Sequence, residues 1–167
     1  MKHGHGEAND VMRPGDRHDD QVAVKRAVRK LLGEQSLAVL ATHACGQPYT
    51  SLVAVAATPD LTGLLLATTR ATRKFANLSA DPRVALLIDS RSNKKIDFEE
   101  AAALTAVGQA REVAEAAREA LLEVYLAKHP HLERFVRSPT CAFLKVEVEV
   151  YYLVRRFQEV MQWHLKQ

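Results

Sequence analysis

The chain has 167 residues, 47% of them hydrophobic and 26% charged, with a net charge of +3; that suffices for one soluble domain with its own core. So small a net charge, with aromatic residues at only 6%, argues against a nucleic-acid binder. No apolar run is long enough to cross a bilayer and the first residues lack a secretory signal, so the expected setting is cytoplasmic, with Cys45 and Cys141 reduced and no membrane partner.

Residues 1–18 are polar and rich in Gly and His and read as a flexible tail, with residues 19–167 as a single domain. His3 and His5 lack the carboxylate or Cys partners of a metal site. From residue 19 to 34 the apolar Val24, Val28, Leu31 and Leu32 repeat at helical spacing, with Asp19 or Asp20 as cap and Gly33 as stop. Residues 36–42 and 48–57 read as strands joined by a hairpin turn in which Gly46 takes positive φ. Residues 63–68 form a third strand, 72–80 a short helix ended by Asp81-Pro82, and 83–89 a fourth strand.

Residues 90–100 are a polar connection holding Asn93, Lys94 and Lys95; its Asp97, Glu99 and Glu100 read as surface or helix-start charge. Residues 101–113 read as a strand in which Gly108 marks a bulge or a close backbone approach. Residues 114–128 form a helix with Ala117, Leu121, Leu122 and Tyr125 on one side, terminated at His129-Pro130. His129 and His131 lack a further ligand close by and read as a terminator, not a metal pair. Over residues 140–154, Leu144, Val146, Val148, Val150 and Tyr152 alternate with Lys145, Glu147, Glu149 and Tyr151, the pattern of a strand with one buried and one wet face. Residues 155–167 read as a final short helix carrying Phe157, Met161 and Trp163. Six strands in hairpin and meander order, with helices inserted, predict a six-stranded antiparallel barrel with helices.

The chemistry concentrates between the third and fourth strands, where Thr68, Thr69, Arg70, Thr72, Arg73 and Lys74 fall within seven positions at a helix start. Hydroxyl donors, cations and a helix N-terminus aimed at one point suit a phosphate group. Cations there oppose the helix dipole, so they imply an external anion. The positive charge is local: residues 70–95 carry a net +5 and residues 97–123 a net −5, which favours a small anionic ligand over a long polyanion.

The run strand–Thr68-Thr69–Thr72-Arg73-Lys74–helix–Asp81-Pro82-Arg83-Val84–strand, preceded by Gly46-x-Pro48 and a Thr/Ser-bearing strand, resembles the pyridoxamine 5′-phosphate oxidase-like, FMN-binding split-barrel family over residues 31–157. The resemblance implies a homodimer with FMN at the subunit interface. It implies that Arg73 and Lys74 hold the FMN phosphate with Thr72 beside them, and that Thr68 and Thr69 border the ribityl chain. Thr50, Ser51, Leu52 and Val53 would lie along the isoalloxazine ring through backbone groups. Asn93, Lys94 and Lys95 either close over the flavin from the partner subunit or stand in a wet loop. Enzymes of the family carry an Arg-Gln pair where this chain has Ala102-Ala103, and a Trp- and Arg-bearing C-terminal tail that this chain lacks. The reading is therefore an FMN-binding oxidoreductase of open substrate. A non-catalytic flavin-binding protein, a haem-handling protein and a deazaflavin user on the same barrel stay open, and Trp163 is left either near the flavin, at the dimer seam or as an anchor of the last element.

Overall fold

The structure, a computed structural model, describes residues 18–156 and 159–165, with side chains described from residue 21. Of the expected N-terminal tail, residues 1–17 with His3 and His5 lie outside the described residues, as do the side chains of Asp19 and Asp20 and all of Phe157.

The elements in order are α1 (His18–Glu34), β1 (Leu37–Ala44), β2 (Gln47–Ala54), β3 (Ala56–Ala57), β4 (Gly63–Thr69), α2 (Arg73–Ala80) and β5 (Arg83–Asp89). There follow α3 (Asp97–Glu100), β6 (Ala102–Glu112), α4 (Glu115–Lys128), a 3-10 turn at Pro130–Leu132, α5 (Glu133–Val136), β7 (Cys141–Arg155) and β8 (Glu159–His164). All strand pairs are antiparallel, in the order β2-β1-β5-β6-β7-β4-β3, with β8 added to β7. This is the antiparallel split barrel with helices that the sequence predicts, with eight strands among the described residues instead of six.

Closure follows from one residue. β2 and β3 are opposite edges of the sheet, yet only Val55 separates them in sequence. The sheet must therefore curl until its edges lie side by side. Val55 is fully buried; its N–H donates to the Ser36 carbonyl (3.1 Å) and its carbonyl accepts from Nε2 of His129 (2.9 Å). Val24, Val28, Leu31 and Leu32 of α1 join the core lined by Leu40, Leu66, Leu86, Leu104 and Leu153. Gly33 lies inside the last turn of α1 and does not stop it.

His129 is thus more than a helix terminator. It caps α4, lies tilted against the Tyr125 ring at 5.0 Å and is buried, while Nζ of the preceding Lys128 donates to the carbonyls of Leu32 (2.6 Å) and Gln35 (2.5 Å). Burial, with smaller contributions from Lys128 and His131, lowers the His129 pKa despite its bond to Val55. The folded chain therefore holds this imidazole neutral, whereas the unfolded chain protonates it below about pH 6.5. Its contribution to stability is full above about pH 6.5 and is lost as pH falls through the depressed folded value. Urea midpoints measured from pH 7.5 down to 5 should fall, and His129→Gln should flatten that slope.

Two further expectations fail, for physical reasons. Tyr151, read as solvent-facing, is fully buried and donates to the Leu61 carbonyl at 2.9 Å, whereas Tyr152 is half-exposed. The cause is a register shift: Val107 pairs with Val150 but Gly108 pairs with Val148, so β7 carries one extra residue and its alternation changes phase. The expected C-terminal helix is a strand, β8. Beyond residue 147, β4 no longer covers the edge of β7, and β8 pairs with that uncovered stretch over Val150–Arg155. Met161, Trp163 and Leu165 pack on the core, and Trp163 stacks on Tyr151 at 5.6 Å, so Trp163 anchors this strand.

Candidate functional site

β4 leads into the start of α2, and β1 and β2 pack against that helix. Thr72 is its N-cap: Oγ1 accepts from the Phe75 N–H (3.4 Å) and donates to the Thr69 carbonyl (2.8 Å), and shares a hydrogen bond with the Thr68 hydroxyl at 3.1 Å. Arg73 and Lys74 follow as the first two helical residues, and the first turn carries no acid. Among the described residues neither has a carboxylate within ion-pair distance. Two uncompensated cations at the positive end of a helix dipole raise the free energy of this turn unless an anion sits there.

The body of α2 is fixed to the sheet by Asn77, which is buried and donates through Nδ2 to Thr42 Oγ1 at 3.0 Å. Thr42 in turn reaches the carbonyl of Tyr49 on β2 at 3.4 Å, and the Arg73 guanidinium lies 5.2 Å over the Tyr49 ring. In β2, Ser51 and Val53 stand opposite the buried Leu40 and Ala38, on the barrel side, while Thr50 and Leu52 face outward, Leu52 at 63% exposure. The Ser51 hydroxyl is buried and has no hydrogen-bond partner among the described residues. Because β2 is an edge, alternate N–H and C=O groups along it point away from β1.

The structure thus gathers Thr68, Thr69, Thr72, Arg73 and Lys74 at one helix start and links them through Tyr49 to the strand bearing Thr50–Val53. It removes Arg70 from the cluster: its guanidinium forms a two-point ion pair with Glu112 of β6, which holds the Glu112 carboxyl below its ordinary range. Asn93 is placed apart within one chain. It sits at φ +61 in the 90–96 loop, beyond the end of β5 that pairs with Ala103, and Ala103 pairs with Val154. Thr69 pairs with Cys141, at the other end of β7. As expected, Asp97, Glu99 and Glu100 are helix-start charge, all in the first turn of α3; Asp97 accepts from the N–H groups of Ser92 and Lys94, bonds that lower its pKa.

Sequence reading missed Tyr49, Thr42 and Asn77. A mid-helix Asn three residues past the basic pair was the available signal, since a buried helical amide needs a partner across an interface. Two surface features complete the picture. The outer face of β2, β1, β5 and β6 aligns Leu52, Val39, Leu87 and Thr105 in one row and Thr50, Ala41, Ala85 and Val107 in the next, none of them buried. At its end, Leu87, Asp89, Arg91, Ala102, Ala103 and Val154 line a groove of about 490 Å³. Among the described residues no cluster of His, Cys, Asp and Glu fits a metal ion, and no helix is long and apolar enough to cross a membrane.

Comparison with known proteins accords with this geometry. Among solved structures, a heme binding protein from Mycobacterium smegmatis superposes with a TM-score of 0.73 at 16% identity, covering 92% of this chain and 59% of that one. A FAD-binding protein from Mesorhizobium loti gives 0.63 at 16% identity, covering 77% and 90%. A protein related to general stress protein 26, of the pyridoxinephosphate oxidase family, from Clostridium acetobutylicum gives 0.62 at 16% identity, covering 88% and 95%. These likenesses establish the fold, and this chain spans only about three fifths of the heme binding protein. Among curated proteins no sequence match is found. The pyridoxamine 5′-phosphate oxidase family model, however, matches residues 24–155, from the core helix through the whole of β7. With a curled antiparallel sheet, a basic capped helix start and that match across most of its length, the chain belongs to the pyridoxamine 5′-phosphate oxidase family.

Proposed function

We propose that the protein is an FMN-binding flavoprotein, an oxidoreductase acting as a homodimer with the flavin at the subunit interface. The observation that carries this reading is the Arg73–Lys74 pair, without a carboxylate partner among the described residues, at the Thr72-capped start of α2, joined to an edge strand whose Ser51 hydroxyl has no partner among those residues either. Arg73 and Lys74 hold the phosphate by charge-assisted hydrogen bonds, and Thr68, Thr69 and Thr72 supply hydroxyls around it. The free backbone edge of Thr50–Val53 meets the donors and acceptors of the isoalloxazine rim. Bound FMN supplies the hydride or electron transfer; the protein positions it and shapes access.

The outer face of β2, β1, β5 and β6 is the proposed seat of the second copy, since it leaves two rows of apolar and small side chains uncovered beside the flavin strand. Asn93 then reaches the flavin only across that interface. Ala102 and Ala103 line the groove at the positions where enzymes of the family carry an Arg-Gln pair, and with the differing C-terminal tail this argues for a substrate other than a vitamin B6 phosphate. Leu87→Glu buries a charge in the proposed seam; light scattering should show half the wild-type mass.

The test is the absorption spectrum of the purified or FMN-reconstituted protein. Flavin bands, with FMN released on denaturation, are expected, and anaerobic bleaching by NADH or NADPH followed by reoxidation by an added acceptor marks an oxidoreductase. Protein that takes up no FMN overturns the reading. A Soret band after haem titration in place of flavin bands points to haem handling.

A further inference from the structure

Two arginines flank the start of α2, and each lies over an aromatic ring: Arg70 at 5.4 Å over Phe75, and Arg73 at 5.2 Å over Tyr49. Their second partners differ. Arg70 is also paired with Glu112, so its charge and two of its N–H donors are spent inside the protein. Arg73 has no carboxylate partner among the described residues. A π face attracts a guanidinium through its quadrupole but, unlike a carboxylate, supplies no counter-charge and no strong acceptor oxygen. It therefore orients the cation while leaving its full charge and its donor fork for a ligand.

Tyr49 is itself well placed. It is half-buried on β2, two residues before Ser51 and hence on the same face of the strand, and its carbonyl accepts from Thr42, which Asn77 of α2 braces. The Tyr49 backbone is thus tied through Thr42 to α2, and its ring lies under the guanidinium of that helix's first residue.

We propose that Tyr49 is a positioning residue for phosphate recognition: its ring aims the Arg73 guanidinium at a phosphate monoester without neutralising it. The inference rests on the FMN reading above and deepens it by naming what selects Arg73, and not Arg70, as the phosphate ligand.

The test is flavin fluorescence titration of FMN and of riboflavin, which lacks the phosphate, on wild type, Tyr49→Phe, Tyr49→Leu and Tyr49→Ile. Tyr49→Leu and Tyr49→Ile should each weaken FMN about five- to twentyfold, the range of a partly desolvated cation–π contact. Tyr49→Phe should stay within about twofold, because phenylalanine keeps a π face. Riboflavin affinity should not change in any variant, and in an Arg73→Ala background Tyr49→Leu should have no further effect. The inference is overturned if both aliphatic variants bind FMN like wild type, if they weaken FMN and riboflavin equally, or if their effect survives without Arg73. A wild-type chain that takes up neither FMN nor inorganic phosphate overturns the FMN reading as well; one that takes up FMN and ignores the Tyr49 variants overturns this inference alone.

Discussion

Replacing Arg73 and Lys74 together by alanine should abolish FMN retention during purification and raise its dissociation constant by at least about a hundredfold. Hydrogen bonds from charged donors contribute about 1.5–3 kcal/mol each, so losing two removes about 3–6 kcal/mol, or a factor of about 10² to 10⁴. The same variant should be no less stable without ligand. Both side chains lie in the first turn of α2 with no acid beside them, and cations there oppose the dipole by about 0.3–1 kcal/mol apiece. Isothermal titration with FMN and thermal melts of the apoprotein read the two effects separately. A double variant that purifies fully loaded would falsify the phosphate assignment, and one that melts well below wild type would assign the pair to folding. Opposite signs in the two assays are the mark of a site kept for a ligand at the expense of the fold.

Gly108→Ala should be the most damaging single-methyl change in the barrel. A Cβ at this position would lie 2.1 Å from the Glu147 carbonyl oxygen, 2.9 Å from its carbon and 3.0 Å from the Val148 Cα. All three are backbone atoms of β7, so no rotamer change relieves the clash. Only separation of β6 from β7 at the bulge does, and that breaks the longest ladder in the sheet and shifts the face that Tyr151 presents to the core. A loss of about 3 kcal/mol or more is expected, at the upper end of point-mutant effects. Gly33→Ala is the matched control. A Cβ there meets nothing within 4 Å and the residue is helical, so a gain of about 0.5–1 kcal/mol is expected. Paired urea denaturation curves check both; a Gly108→Ala protein as stable as wild type would mean that the two strands do not approach as described.

Much of this molecule is readable from local pattern. α2 with its Thr72 cap, β5 over Arg83–Asp89, the hairpin at Gly46 with φ +80, and α4 ending before Pro130 are each set by signals a few residues long. Gly108 was readable as a special backbone position because glycine in an otherwise regular strand signals missing space for a side chain. The basic, hydroxyl-rich helix start was readable because cations against a helix dipole require an anion.

What escaped the sequence depends on partners distant in the chain. The final segment was read as a short helix carrying Phe157, Met161 and Trp163; whether Met161 and Trp163 join a helix or a strand is decided by the unpaired edge that β7 offers beyond β4. Tyr151 and Tyr152 exchanged faces because a bulge, which needs both strands to define it, adds one residue to a period of two. Within the site, the sequence alone determined which residue types cluster near the start of α2. Only the tertiary structure decided which of them are free to act: Glu112, 42 residues from Arg70, takes that arginine out, and Tyr49 on the barrel edge holds Arg73 in place without a counter-charge. Local sequence sets propensities and caps within a few residues, whereas pairing, burial and the sharing of charge are settled by groups brought together only when the sheet curls and closes at Val55.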